Sequence, residues 1–239
     1  MNRRQSRIEK LSIVDAPQTG KYYVNCPEIG QEQLELFSSN GISPKVIIVG
    51  NPAVGKSSLL NRMAHNEFTN EYKSTIGVSY TPIEFLFNNV PVKLAMWDMA
   101  GQEQYNSVNK LYFRGANVVF LCFDLGNPQS FNDIEKWRAI INENTSGLFG
   151  VFLVGCKSDL QKKISENEIK NYCIQNKLEY FETSSKAASM TTELAKRSCF
   201  IASCSIQNLR TSFNHNKITL SEPQPMINSP STDPQKKCC

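Results

Sequence analysis

The chain contains the stretch Gly50-Asn51-Pro52-Ala53-Val54-Gly55-Lys56-Ser57, which fits the pattern of a glycine, four residues and then Gly-Lys-Ser. A β-branched run typical of a buried parallel strand, Lys45 to Val49, precedes it, and residues that favour a helix, Ser58 to Ala64, follow it. A strand, a tight turn and a helix form the context in which this pattern binds phosphate. We therefore predict a phosphate-binding loop, because the flanking elements disfavour a chance match in an ordinary loop.

The chemistry of this loop follows from its residue types. Gly50 and Gly55 let the backbone bend so that successive N–H groups point at phosphate oxygens, and the helix N-terminus adds partial positive charge. Lys56 can neutralise the β and γ oxygens, and the Ser57 hydroxyl can ligate Mg²⁺. The predicted phosphate-binding residues of the loop are Gly50, Ala53, Val54, Gly55, Lys56, Ser57 and Ser58.

The composition favours one α/β domain with tails. The chain has 239 residues and is 40% hydrophobic, which is enough for one full core and short for two. Its net charge of +4 is scattered, which does not indicate a nucleic-acid binder. The eight cysteines show neither a disulfide framework nor paired CxxC ligands, so we expect reduced thiols in the cytosol. We find neither a secretory signal nor an apolar run of about 18 residues that would span a membrane.

The pattern along the chain predicts three segments. Residues 1–42 lack sustained periodicity and are expected to form a flexible extension, and residues 207–239 are expected to form a flexible polar tail. Residues 43–206 alternate strands with helices, which predicts a doubly wound α/β domain with a six-stranded, mostly parallel sheet and helices on both faces. Within it, Pro82 predicts a strand at the sheet edge, and Ser130 and Ser165 are candidate helix caps.

Two downstream motifs indicate which nucleotide is bound. Asp98-Met99-Ala100-Gly101 follows a strand and places a carboxylate near Mg²⁺, with a glycine N–H for a γ-phosphate. Cys156-Lys157-Ser158-Asp159 also follows a buried strand, and the Asp159 carboxylate can accept hydrogen bonds from guanine N1–H and N2–H₂. Adenine lacks donors in that arrangement, so the pattern favours GTP over ATP.

Taken in order, these motifs resemble those of Ras-superfamily small GTPases, and most of all the Rab family, over roughly residues 44–205. The Rab resemblance rests on four quoted segments: Ile76-Gly77-Val78, Trp97-Asp98, Tyr112-Phe113-Arg114-Gly115-Ala116 and the terminal Cys238-Cys239. It implies a single P-loop GTPase domain that binds GTP or GDP with Mg²⁺.

The resemblance also implies roles for further residues. Gln102 is expected to orient the attacking water, Thr75 and Gly101 to meet the γ-phosphate, and Ser57, Thr75 and, through a water, Asp98 to hold Mg²⁺. The expected guanine-binding residues are Phe68, Cys156, Lys157, Asp159, Ser184, Ser185 and Lys186. The expected effector-binding residues are Ile76, Tyr80, Trp97 and Tyr112. Each has a simpler alternative: an ordinary loop threonine for Thr75, a loop anchor for Phe68 and packed core for the aromatic residues.

The chain departs from the family pattern at several positions. Cys156 stands where the family carries an asparagine that bonds the base, which predicts weaker, faster-exchanging nucleotide because a thiol is a weak donor and acceptor. Met99 replaces the usual threonine, and Ser79-Tyr80 the usual Asp-Phe. Pro52 fixes φ and removes an N–H close to where a partner's arginine finger approaches, which predicts poor stimulation of hydrolysis.

The C-terminus predicts a lipid anchor. Lys236-Lys237-Cys238-Cys239 is not a CaaX box, but terminal Cys-Cys resembles the Rab pattern for two geranylgeranyl groups. Two chains anchor a protein stably where one does not, and the lysines favour acidic lipid. An unmodified thiol tail or a metal-binding pair is the alternative.

The functional prediction is a monomeric switch that hydrolyses GTP slowly and regulates vesicle or endomembrane traffic, cycling between the cytoplasm and the cytosolic face of an endomembrane. The resemblance implies GTP-state effectors, an exchange factor, a GTPase-activating protein and a prenyl-chain chaperone as partners. A nucleotide-binding scaffold with impaired hydrolysis is the alternative. An ATP-dependent P-loop kinase would need a lid and an acceptor site, and the sequence suggests neither.

Overall fold

The structure, a computed structural model, describes residues 13–14, 21–24, 43–71, 73–87, 90–100, 110–145, 147, 150–198 and 200–201. Its strands are β1 (Ile13–Val14), β2 (Lys21–Val24), β3 (Lys45–Val49), β4 (Val78–Phe87), β5 (Val90–Met99), β6 (Val118–Asp124), β7 (Gly150–Cys156) and β8 (Glu179–Glu182). Its helices are α1 (Lys56–His65), α2 (Lys110–Phe113), α3 (Pro128–Asn132), α4 (Ile134–Asn144), α5 (Glu166–Asn176) and a last helix, α6, over residues 191–198.

The strands form one sheet in the order β1-β2-β4-β5-β3-β6-β7-β8. Strands β5, β3, β6, β7 and β8 run parallel to one another, whereas β4 pairs antiparallel with β5. The central strands β3 and β6 are continuous apolar runs because both faces of a parallel sheet are covered. The six strands β3 to β8 confirm the predicted mostly parallel sheet.

The edge of the sheet differs from the prediction. Strand β4, which contains Pro82, was expected at the edge, but β2 pairs with it in parallel over Glu84–Phe87, and β1 pairs with β2. Two short strands of the segment expected to be flexible therefore lie on the sheet. Pro82 itself lies outside the β2 pairing, as its missing N–H requires.

Helices cover both faces, as predicted. On one face α1 and α6 pack on the sheet through the buried side chains of Leu59, Met63 and Leu194. On the other face α4 and α5 do so through Trp137 and Ile169, among others. Among the described residues, no helix combines the length and apolar character needed to cross a bilayer.

One of the two predicted helix caps is wrong. Ser165 caps α5 by accepting a hydrogen bond from the Glu168 N–H, as predicted. Ser130, however, lies inside α3, whose cap is Asn127 followed by Pro128 at the first helical position. Proline suits that position because its missing N–H would be unpaired there anyway.

Candidate nucleotide-binding site

The loop between β3 and α1 has the backbone that its glycines predict. Gly50 has φ 142° and Gly55 has φ 113°, both in the region that favours glycine. A Cβ on Gly50 would lie 2.1 Å from the Cys122 carbonyl oxygen, so this position has no room for a side chain. The loop therefore turns against the end of β6.

The N-terminus of α1 is open to an anion. Within this described helix, the first turn contains no acidic side chain, and the N-cap, Gly55, supplies no side-chain hydrogen bond. The first N–H groups of a helix have no partner within the helix, and the helix dipole favours negative charge there. The end of α1 is thus suited to a phosphate group.

Lys56 is buried at this helix end. Its Nζ donates hydrogen bonds to the carbonyl oxygens of Gly50 and Asn51, both at 2.8 Å. Burial lowers the pKa of the lysine, and the carboxylate of Asp98 opposes that shift. An added anion would compensate the buried charge, which is what a phosphate-binding lysine requires.

Three side-chain oxygens meet beside Lys56. The Ser57 hydroxyl donates to Asp98 Oδ2, and Ser57 Oγ lies 2.7 Å from Thr75 Oγ1. Burial raises the pKa of the Asp98 carboxyl, and the Ser57 hydroxyl and Lys56 oppose that shift. Strand β5 delivers Asp98 and α1 delivers Ser57, so the sheet register brings them together.

This oxygen cluster fits Mg²⁺. Among the described residues, Asp98 Oδ1 is the buried side-chain oxygen or nitrogen atom that has no hydrogen-bond partner. The described residues form no cluster of three or more His, Cys, Asp or Glu side chains that would hold a metal by themselves. Mg²⁺ takes few oxygen ligands from the protein and completes its coordination shell with phosphate oxygens and waters. The oxygens of Ser57, Thr75 and Asp98 suit a cation that binds in this way.

The other end of the site is formed by the segments after β7 and β8. Ser184, which is buried, donates its hydroxyl proton to Asp159 Oδ1 at 2.5 Å and accepts a bond from the Ala187 N–H at 3.0 Å. Lys157 forms an ion pair with Asp124 at 2.7 Å. The orientation of the Asp159 carboxylate is therefore set by Ser184.

Cys156 lies at the floor of this end. It is buried, its Sγ lies 3.9 Å from the Val154 carbonyl oxygen, and its Cβ would lie 3.4 Å from a Cβ on Gly55. The neighbouring thiol of Cys122 lowers the pKa of Cys156, and burial opposes that shift. A weakly bonding group thus stands against the turn of the phosphate loop.

A cavity of about 540 Å³ joins the two ends. Its volume is in the range of small-molecule sites. It brings together most of the predicted nucleotide-binding residues: Ala53, Gly55, Lys56, Ser57, Ser58, Phe68, Thr75, Cys156, Lys157, Asp159, Ser185 and Lys186.

Some predicted residues do not line the cavity. Val54 packs its side chain into the core, and Gly50, Asp98 and Ser184 are buried without lining the cavity. Gly101 and Gln102 lie outside the described residues, as do Cys238 and Cys239.

Several cavity residues were not predicted from the sequence: Asn61, Asn70, Glu71, Lys73, Ser74 and Leu160. Leu160 directly follows Asp159, so its place in the motif was a usable signal. The others lie on α1 or in the irregular segment before β4, which has no periodicity to place them.

The four predicted effector-binding residues lie outside the cavity. The rings of Tyr80 and Trp97 have centroids 5.1 Å apart, and those of Trp97 and Tyr112 are 5.9 Å apart. Lys45 Nζ lies 4.9 Å from the Trp97 ring centroid. Tyr80 is 53% exposed and Ile76 is 96% exposed, so apolar area is left open to solvent beside the Thr75 segment.

Comparisons with known proteins agree with this geometry. The model of the Ras family matches residues 45–199. The chain is 38% identical over 142 residues to the Ras-related protein Rab-11B of Dictyostelium discoideum, which covers 59% of this chain and 64% of that protein. It is 32% identical over 202 residues to the Ras-related protein rab-11.1 of Caenorhabditis elegans, covering 82% and 93%. It is 35% identical over 151 residues to the GTP-binding protein ypt3 of Schizosaccharomyces pombe, covering 62% and 71%.

Proposed function

The chain belongs to the Ras family, and on that premise we propose that it is a Rab-like switch, which binds GTP with Mg²⁺ and regulates vesicle or endomembrane traffic. Ras-family proteins hydrolyse GTP to GDP and phosphate, so the chain is a GTPase. The observation that carries the proposal is the continuous cavity that joins Lys56 and Ser57 at one end to Asp159 at the other. That arrangement suits a triphosphate attached to a guanine base.

Each end of the site contributes a separate part of the binding. The N–H groups of the loop and of the first turn of α1 bind the phosphates, and Lys56 neutralises their charge. Ser57, Thr75 and, through a water, Asp98 would hold Mg²⁺, which when bound would offset the charge on the β and γ oxygens. Asp159, oriented by Ser184, accepts the hydrogen bonds of guanine, with Phe68 and Lys186 flanking the base.

Thr75 couples the phosphate site to the exposed aromatic surface. Its hydroxyl lies against Ser57, and Ile76 directly follows it. Held at the γ-phosphate and Mg²⁺ site, Thr75 would order the segment before β4, and release of the phosphate would free that segment. Effectors recognise that ordered segment together with Tyr80, Trp97 and Tyr112.

Hydrolysis is proposed to be slow. Gln102 orients the attacking water, as the resemblance implies. Pro52 lines the cavity and stands where an activating protein's arginine finger approaches. Such a finger accelerates hydrolysis by a factor of about 10³–10⁵. Met99 is fully buried in the core, and its thioether side chain has no hydroxyl to offer to the water. Pro52 and Met99, together with Cys156, are the residues that keep open a second candidate, a nucleotide-binding scaffold with impaired hydrolysis.

The remaining roles rest on the resemblance. Cys238 and Cys239 carry two prenyl groups that hold the protein on the cytosolic face of an endomembrane, and a prenyl-chain chaperone returns it to the cytoplasm. An exchange factor and a GTPase-activating protein set the nucleotide state. The segment 207–239 acts as an extension of the GTPase domain, and the segment 1–42 adds β1 and β2 to the sheet of that domain.

The test is the identity of the nucleotide that co-purifies with the protein. Protein purified in Mg²⁺ is denatured, and the released nucleotide is separated by ion-exchange chromatography. We expect GDP or GTP in near-stoichiometric amount, and adenine nucleotide would refute the proposal. Single-turnover phosphate release, compared with Gln102→Leu, then separates the switch from the scaffold: a measurable rate that the substitution lowers supports the switch.

A further inference from the structure

Asn51, the second residue of the phosphate loop, uses both ends of its side-chain amide to bind α4 and the residue that precedes it. Its Nδ2 donates to Asp133 Oδ2 at 2.8 Å, and its Oδ1 accepts from the indole Nε1–H of Trp137 at 2.9 Å. A carboxylate only accepts and an indole N–H only donates, so the two partners fix which way the amide points. The side chain has one satisfied orientation.

The main chain of the same residue holds the phosphate lysine. The carbonyl oxygen of Asn51 accepts from Lys56 Nζ at 2.8 Å, beside the equivalent bond to Gly50. Asn51 therefore contacts α4 through its side chain and Lys56 through its backbone. A rotation of the Asn51 peptide would move the acceptor on which the lysine depends.

The anchors at the start of α4 are firmly placed. Trp137 is among the largest fully buried side chains. Asp133 Oδ1 accepts from Lys136 Nζ at 2.6 Å and from Gln129 Nε2 at 3.2 Å, which leaves Oδ2 for Asn51. These bonds, that of Lys136 first and then that of Asn51, hold the pKa of Asp133 below its usual value, so the carboxylate is ionised at neutral pH.

The loop beyond Asn51 needs such support. Ala53 has φ 60°, a left-handed conformation that is strained for a residue with a side chain. Strained backbone persists only where the surroundings over-determine it. The bonds from Asn51 to Asp133 and Trp137 supply that constraint on the side away from the cavity.

We propose that Asn51 is a positioning residue, which sets the shape of the phosphate loop and the place of Lys56 through its bonds to Asp133 and Trp137. It acts on nucleotide retention without contacting the nucleotide with its side chain. The inference rests on the proposed function, since its measurement is the release of a guanine nucleotide.

The test measures the release rate of a fluorescent GDP analogue from full-length variants by stopped flow. Asn51→Ala removes a bond to a carboxylate and leaves the buried indole N–H without its acceptor, so release should speed up about tenfold or more. Asn51→Asp sets two carboxylates against each other and should release the nucleotide faster still. Gln129→Ala is the matched control, because it removes a bond to Asp133 on the side away from the loop, and it should leave the rate unchanged.

The decisive variant exchanges donor and acceptor. In the double variant Asn51→Asp with Asp133→Asn, the side-chain amide at position 133 donates to the carboxylate at position 51. The amide oxygen at position 133 still accepts from Lys136 and Gln129, and the carboxylate at position 51 still accepts from Trp137. Release should return to within about threefold of wild type, a rescue that a general loss of stability would not give.

The outcomes separate the two claims. Unchanged release in Asn51→Ala, or no rescue in the exchanged pair, overturns the inference and leaves the proposed function standing. Wild-type protein that retains no GDP overturns the proposed function instead.

Discussion

Ser184→Ala tests whether Asp159 recognises the base in the orientation described. The Ser184 hydroxyl donates to Asp159 Oδ1 at 2.5 Å and is buried. A hydrogen bond to a charged group contributes about 1.5–3 kcal/mol, and 1.4 kcal/mol corresponds to a factor of ten. Loss of this bond frees the carboxylate to rotate, so we expect GDP to bind about ten- to a hundredfold more weakly.

The assay is isothermal titration of nucleotide-free protein with GDP in the presence of Mg²⁺. Ser198→Ala is the matched control, because Ser198 is also a buried hydroxyl, but it donates to the Leu194 carbonyl oxygen at 2.8 Å within α6 and does not line the cavity. Ser198→Ala should bind GDP as wild type does. Equal affinity of Ser184→Ala and wild type would refute the reasoning, since it would mean that the position of Asp159 does not matter for the base.

Three further predictions follow from other parts of the structure. Cys156→Asn restores an amide at the base, so release of a fluorescent GDP should slow about five- to a hundredfold, from the 1–3 kcal/mol of one hydrogen bond, and an unchanged off-rate would contradict it. The fold lowers the pKa of Asp133, so the ionised carboxylate stabilises the protein at pH values above its unfolded-state pKa near 3.8. That stabilisation is lost as the pH falls through the pKa of Asp133 in the folded state. Urea unfolding of wild type and Asp133→Asn should therefore differ at pH 7 and converge in acid, and a constant difference would contradict this. Deletion of residues 1–42 removes β2, so amide exchange in Glu84–Phe87 should speed up at least tenfold while β3 is unaffected, and unchanged protection would argue against the pairing.

The sequence predicted the parts of the fold that local signals specify. The turn at Gly50 and Gly55 was predictable because the sequence signals for a strand, a glycine-rich loop and a helix lie in adjacent segments. The central strands β3 and β6 were predictable because burial on both faces demands continuous apolar runs. Ser165 was a recognisable cap for the same reason, since its partner Glu168 is three residues away.

The parts that were missed depend on contacts between distant residues. The pairing of β2 with β4 joins Lys21–Val24 to Glu84–Phe87, and short strands without alternation give no signal of which edge they will join. The sequence does not distinguish Asn127 from Ser130 as the cap, because both residue types are good caps, and only the fold shows that the Ser130 hydroxyl donates to the Asn127 carbonyl oxygen. The bond from Asn51 to Trp137 spans 86 residues, so the sequence could predict Trp137 as core but not as a partner of the loop.

Much of the candidate site was predictable because its residues belong to ordered motifs. Lys56, Ser57 and Asp98 were expected near one another, and their atoms meet in the structure. The sequence does not predict that Ser184 orients the Asp159 carboxylate, because a motif identifies the residues of a site but not the hydrogen bonds between them.

The most direct test of the account compares GDP with ADP on nucleotide-free protein in Mg²⁺, for wild type and Asp159→Asn. We predict that wild type binds GDP at least about a hundredfold more tightly than ADP, because adenine cannot donate two hydrogen bonds to Asp159. Asp159→Asn should lose that preference, since an amide no longer accepts both bonds. Equal or tighter binding of ADP by wild type, or no binding of GDP at micromolar concentration, would contradict the account.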